Sequence, residues 1–220
     1  QSMAATAKEA GVQIVAGDTK VIEGNGGLYI NTAGIGERPI DSAISAKHMQ
    51  VGDAILLTGT LGDHHGTILT QRLGMKTTLQ SDCAPLNHLV DALLQQGLSI
   101  HTIRDITRGG LATVANELAA SSGKSMVLEE EKLPVSEEVK GLCGILGLDP
   151  LTMGNEGKMC IVLPAAEAKK ALDILHTQPY GKEAVQVGRV EEGSGVHLET
   201  LFGGRRRILP LRGEGLPRIC

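Results

Sequence analysis

From Ala54 onward, short apolar runs alternate with stretches of helical periodicity, and this alternation limits the possible folds more than any other feature of the chain. "AILLTG" reads as a buried strand and residues 66–73 as a helix. "PLNHLVDALLQQG" sets Leu86, Leu89, Val90, Leu93 and Leu94 at helical spacing, with Gly97 just beyond its end. "SIHTIRD" follows as a strand, then "GGLATVANELAASSG" as a helix with Leu111, Val114, Ala115 and Leu118 on one face. A strand near "SMVLEE", a helix over 136–146 closed by Gly147, the strand "MCIVLP" and a helix over 165–176 continue the pattern. "AVQVGRVEEGSGVHLET" is expected to close it as a hairpin turned at "EGSG". The fold class is α/β (α+β): a mixed sheet layered with packed helices.

The composition fits that architecture. Aromatic residues are 1% of a chain that is 41% hydrophobic, so the core is built from Leu, Ile, Val and Ala. The 29 glycines point to tight layers and to turns where backbone approaches backbone or ligand. With a net charge of −4 and no basic, aromatic-interleaved surface, nucleic acid is not an expected partner. The run "RRR" at 205–207 reads as a solvated face of a short hairpin. No apolar stretch reaches membrane-spanning length, so no membrane partner is expected either. Cys83, Cys143, Cys160 and Cys220 fit no zinc spacing, and reduced thiols in a cytoplasmic protein are the simplest reading.

Ahead of this region, "QSMAATAKEAG" reads as a helix stopped by Gly11, followed by strands at "VQIVAG" and "GGLYINTAGIG". "GERPIDSAISAKHMQVGD" reads as a linker. A helix with so little before it leads to the expectation of a fragment that lacks earlier elements. The expected domains are residues 1–45 as a remnant, 46–209 as the α/β domain and 210–220 as a flexible tail.

Four stretches place polar groups just after apolar runs, where α/β folds bind their ligands. "AGDTK" offers Asp18, Thr19 and Lys20, a hard oxygen ligand and a cation suited to magnesium and polyphosphate; taken alone, the stretch is better read as an ordinary Gly-Asp turn. "TGTLGDHHG" has glycines for close approach and could turn Asp63 and His64 toward a ligand, or be a flexible loop. "RDITRGG" leads into a helix N-terminus that can bind an anion, with Asp105 either beside the counter-cation or capping the helix. "GNEGK" presents Glu156 between glycines, a setting for a general base or for a solvated turn.

The last residue, Cys220, is a thiol behind the polar tail "LRGEGLPRIC". An exposed thiol is an oxidation liability unless its chemistry is used. From Leu209 an extended tail reaches ~35–40 Å, with Gly213 and Gly215 as hinges and Pro217 stiffening the end.

Taken together, "GDTK", "GDHHG", "SDCAPL", "DITRGGL", "NEGK" and the closing "LPRIC" resemble the HypE family of hydrogenase maturation factors. These are carbamoyl dehydratases of the aminoimidazole ribonucleotide synthetase-like superfamily. The resemblance runs the length of the chain, although family members carry roughly another hundred residues in front, including part of the ATP-binding domain. It implies the C-terminal domain of that superfamily, preceded by a remnant of the N-terminal domain, in a homodimer. It also implies that the carbamoyltransferase HypF carbamoylates Cys220 and that ATP with Mg2+ then drives dehydration of the thiocarboxamide to a thiocyanate. The cyanide ligand would pass to the HypC–HypD complex for the iron of [NiFe]-hydrogenase. On the same resemblance, Glu156 is the base and Lys20 lines the channel the tail enters. Asp18 and Asp105 are magnesium ligands, and Asp63, His64, Thr107 and Arg108 contact phosphate or tail. Two other readings stand beside this one: a superfamily small-molecule kinase with Cys220 incidental, and a non-enzymatic module that carries the modified cysteine.

Overall fold

The structure, a computed structural model, describes residues 1–24, 27–37 and 44–211. The chain divides into two units, Gln1–Ala43 and Ile44–Cys220.

In the first unit, helix α1 (Ser2–Ala10) ends at Gly11. The Gly11 N–H donates to the Lys8 carbonyl at 3.2 Å and the Val12 N–H to the Ala7 carbonyl at 2.9 Å, which satisfies two carbonyls left over at the helix end. The two strands expected after it are not formed among the described residues. Val12, Ile14, Val15, Val21 and Ile22 are exposed. Apolar, β-branched composition selects a strand only when a neighbouring chain takes up its N–H and C=O groups.

The second unit is a seven-stranded mixed sheet with helices on both faces. Its strands are β1 (Asp53–Leu57), β2 (Thr102–Asp105), β3 (Ser125–Glu129), β4 (Met159–Pro164), β5 (Val185–Glu191), β6 (Gly195–Glu199) and β7 (Arg205–Ile208). Its helices are α2 (Asp63–Arg72), α3 (Asn87–Gln95), α4 (Gly110–Ser122), α5 (Glu137–Leu146) and α6 (Ala165–His176). The spatial order is β2-β4-β1-β5-β3-β6-β7. All pairs are antiparallel except β3 with β6.

Strand β1 is buried along its whole length because it lies between β4 and β5 and is covered on both faces. Ile55 and Leu57 pack toward α4, in one cluster with Leu111, Val114, Ala115 and Leu118. Ala54 and Leu56 face the opposite layer, with Leu89 and Leu93 of α3 and Ala168, Ala171 and Leu175 of α6. The period of two along the strand thus feeds two cores, and each fully buried leucine contributes about 1.5–3 kcal/mol. A third, smaller cluster joins α2 to α5 through Leu69, Val139, Leu142, Cys143 and Met153.

The expected hairpin between β5 and β6 is corrected by the sheet order. The chain does reverse after Glu191, but β3 lies between the two strands, antiparallel to β5 and parallel to β6. Strand and turn chemistry mark the reversal, but they carry no record of an earlier segment inserted into it. The adjacent hairpin is β6 with β7, where "RRR" lies. Its arginines are exposed, as expected, and two of the three pair with carboxylates. Arg205 bonds to Glu191 and Glu199, Arg189 of β5 bonds to the same two carboxylates, and Arg206 reaches Asp149.

Hydrogen bonds from Arg189 first, and then Arg205, hold the Glu199 carboxyl well below its ordinary range, at about 2. A depressed carboxylate pKa gives stability that is present above the ordinary glutamate value and lost as pH falls through the folded value. Glu199→Gln is therefore expected to lower the melting temperature at neutral pH. The gap to the parent should close as pH approaches about 2, which thermal melts across an acid series would check.

Candidate functional site

Three of the four polar stretches of the sequence meet at one buried side chain. Asn155 is 0% exposed. Its Oδ1 accepts the Gly62 N–H at 2.7 Å, and its Nδ2 donates to the carbonyls of Ile106 at 3.0 Å and Met153 at 3.1 Å. A buried amide has to satisfy its donors and acceptor, and here it does so by binding the loops after β1, after β2 and before β4 to one another. Close packing adds to this. A Cβ on Gly110 would lie 2.5 Å from the Met153 carbonyl oxygen, so the start of α4 can rest on the 150–153 backbone only without a side chain.

Glu156 stands at the crest of the joined loops. Its N–H donates to Asp82 Oδ1 at 2.9 Å, which brings in the 81–84 loop as a fourth wall. The other oxygen, Asp82 Oδ2, is buried and has no hydrogen-bond partner among the described residues. Burial raises the pKa of the half-buried Glu156 carboxyl; Asp82 and Asp105 push in the same direction, while His64 pulls it down. A carboxyl raised in this way is a stronger proton acceptor than an exposed glutamate once it is ionised.

His64, in the first turn of α2, points Nδ1 at Ser81 Oγ, 2.9 Å away. Ser81 Oγ donates to Cys83 Sγ at 3.1 Å and accepts the Cys83 N–H at 3.2 Å. Cys83 Sγ is 3.7 Å from His64 Nδ1. Cys143 and Cys160 are buried, and burial pushes the Cys160 thiol up to about 12. Among the described cysteines, Cys83 is thus the exposed one.

The remaining candidates are spread more widely. Asp63 is tied back into the protein, accepting from the hydroxyls of Thr60 and, at 3.4 Å, Ser136. Asp105 is exposed at the end of β2 and accepts from Thr107 Oγ1 at 2.8 Å. It does not cap α4, whose N-cap is Gly109. Arg108 is exposed on the same loop. In the first unit Asp18 and Lys20 are exposed, and Asp18 Oδ1 accepts the neighbouring Thr19 N–H at 2.8 Å. Cys220 lies outside the described residues.

Residues 50–200 match the family model described as AIR synthase related protein, C-terminal domain. The whole chain aligns with the carbamoyl dehydratase HypE of Azotobacter vinelandii at 46% identity, over 66% of that relative's length. It also superposes on the crystal structure of a hydrogenase maturation protein HypE in complex with ATP, with a TM-score of 0.89 and 41% identity, covering 100% of this chain and 68% of that one. The chain belongs to the HypE family. A crystal structure of a HypE–HypF complex matches as well, at a TM-score of 0.85 and 38% identity over 96% of this chain and 70% of that one. The chain spans 64–66% of the length of its curated HypE relatives, so the segments matched here are a part of what those proteins contain.

Within this HypE domain, sequence reasoning did not assign roles to Asn155, Ser81, Asp82 and Cys83. Asn155 was hidden because its function is to hold three distant loops, and spacing along the chain cannot reveal that. The triad Ser81–Asp82–Cys83 lies in a segment with no periodicity. Three successive polar or nucleophilic side chains just before a helix were the available signal.

Proposed function

We propose that the full-length protein is an ATP-dependent carbamoyl dehydratase acting on its own C-terminal Cys220. The observation that carries this reading is Glu156, a half-buried carboxyl of raised pKa on a crest formed by four loops. The name of the HypE relatives and the ATP-bound HypE structure support the same reaction and nucleotide.

An amide oxygen is a poor leaving group and phosphate a good one. The thiocarboxamide oxygen attacks the γ-phosphorus of ATP, ADP departs, and loss of phosphate with both N–H protons leaves a thiocyanate on sulfur. Glu156 serves as base. Thr107 and Arg108, beside the N-terminus of α4, and Asp63 and His64, at that of α2, are the proposed contacts for phosphate or tail. Lys20 is the proposed cation for the tail.

Among the described residues, no three His, Cys, Asp or Glu side chains gather to hold a metal. Magnesium is usually held by one or two carboxylates together with substrate phosphates. Asp105 in the second unit and Asp18 in the first are exposed hard-oxygen donors of that kind. An ion held by either carboxylate would neutralise charge on the transferring phosphoryl group.

HypF is the proposed carbamoyl donor, in line with the HypE–HypF complex. The HypC–HypD complex is the proposed acceptor of cyanide for the [NiFe]-hydrogenase iron, with the protein acting as a cytoplasmic homodimer. No helix among the described residues is long and apolar enough to cross a membrane.

The test is a mass spectrum of the C-terminal peptide after the full-length protein is incubated with HypF, carbamoyl phosphate and ATP. The expected result is a carbamoyl group on Cys220 followed by loss of one water. An unmodified Cys220 in the presence of active HypF would sink the reading.

A further inference from the structure

Two protons leave nitrogen when a carboxamide becomes a nitrile, and Glu156 is one carboxylate that takes one proton at a time. The loop that binds the Glu156 N–H through Asp82 also holds a second acceptor, His64, through the adjacent Ser81. The Ser81 hydroxyl has a single hydrogen, and that hydrogen is given to Cys83 Sγ at 3.1 Å. Toward His64 Nδ1, 2.9 Å away, Ser81 Oγ therefore acts as acceptor. With the Ser81 hydrogen on Cys83 Sγ, the matching tautomer of a neutral His64 carries its proton on Nδ1 and leaves the lone pair on Nε2.

The neighbouring histidine has the opposite arrangement. His65 Nδ1 accepts the Gly154 N–H at 3.3 Å, so its proton is on Nε2, which is buried and without a partner among the described residues. Burial, aided by His64, lowers the His65 pKa. His65 is a neutral packing group. His64 is partly open to solvent, and its charge pulls the Glu156 pKa down.

We propose that His64 is the second proton acceptor of the dehydration, with Ser81 and Cys83 fixing the tautomer that leaves Nε2 unprotonated. This rests on the carbamoyl dehydratase reading of the same site. In the first step the carboxamide oxygen bonds to the γ-phosphorus, the bond to ADP breaks, and one N–H proton passes to Glu156. The product is an S-linked imidate phosphate. In the second step the C–O bond breaks and its electron pair leaves with phosphate. The remaining N–H proton passes to His64 Nε2, and the freed N–H electron pair completes the carbon–nitrogen triple bond. His64 returns its proton to the departing phosphate, and Glu156 releases its own to water. The net products are thiocyanate, ADP, hydrogen phosphate and one proton.

The groups facing His64 are Ser81 and Cys83 from the 81–84 loop, Glu156 from the loop before β4, and His65 on its own helix. Asp82 and Asp105 act on Glu156.

The experiment uses full-length protein carbamoylated by HypF, purified, and then given magnesium-ATP, with thiocyanate on the tail read by mass spectrometry. His64→Ala is expected to slow thiocyanate formation about 10²- to 10⁴-fold at saturating ATP. Added imidazole should restore the rate, increasingly as pH rises and more of it is neutral. Ser81→Ala keeps the imidazole but frees its tautomer, so it should give a smaller loss and a displaced pH profile. An unchanged rate in His64→Ala would overturn the proposal. So would a loss that imidazole does not relieve, because His64 would then act through packing. If the parent protein itself loses no water, the dehydratase reading falls and takes this proposal with it.

Discussion

Glu156→Gln is expected to slow dehydration of the carbamoylated tail by about 10²- to 10⁴-fold, with ATP affinity unchanged. Glutamine keeps the size of the side chain and the backbone N–H that binds Asp82 Oδ1, so the four-loop arrangement persists and only the base is lost. The pH dependence follows from the cause of the pKa shift. Burial raises the folded-state pKa, with Asp82 and Asp105 adding to it and His64 opposing. The parent rate should fall as acid protonates Glu156, along a limb lying above the ordinary glutamate range.

Stability should move the other way. A carboxyl whose folded pKa is raised binds its proton more tightly in the native state, so stability is fully present below the unfolded value and declines as pH rises through the folded one. Glu156→Gln should consequently melt higher than the parent at neutral pH, and the difference should vanish in acid. Rate profiles and melts on the same samples check both. A glutamine variant that is slow and also less stable at neutral pH would mean that Glu156 holds the loops together instead of serving as base. Loss of activity with gain of stability is the expected mark of a charge kept in an unfavourable place for its chemistry.

The sheet and its helices were largely legible because they are strongly periodic. α3, α4 and α6 carry apolar residues at helical spacing, and β1 and β4 are short apolar runs bounded by polar turns. What escaped depended on contacts far apart in sequence. β3 enters between β5 and β6 from about sixty residues upstream, and no local pattern records that insertion. α2 begins at Asp63, ahead of the expected residue 66, because Gly62 is held by Asn155 from the loop before β4. In the first unit, residues such as Val12 and Ile14 have strand composition but form no ladder among the described residues. The candidate site was legible in part for a related reason. Glu156 between two glycines stands out along the chain, whereas Asp82, which receives its N–H, is recognisable only from the close approach of the two loops.

That approach sets the other large effect, at Gly157. A Cβ on Gly157 would lie 1.8 Å from the Asp82 carbonyl oxygen and 3.0 Å from the Ala84 nitrogen. Both are backbone atoms, so no rotamer change relieves the clash, and the 81–84 loop has to move away from the loop before β4. Overpacking of this kind typically costs ~1–3 kcal/mol. The displacement would also pull Asp82 off the Glu156 N–H and shift Ser81 and Cys83 relative to His64. A misplacement of about 1 Å can cost on the order of 10²-fold in rate. Gly157→Ala is therefore expected to lower both melting temperature and thiocyanate formation, in contrast to Glu156→Gln, which lowers only the second. Gly59→Ala is the matched control. Its Cβ would meet Lys158 Nζ at 2.8 Å, the free end of a flexible side chain that can swing aside, so its melting temperature should stay near that of the parent. If Gly157→Ala kept the parent's rate and melting temperature, the pressure of the 81–84 loop on Gly157 would not be what shapes the site. Glu156 would then have to be positioned by Asn155 and its loop alone.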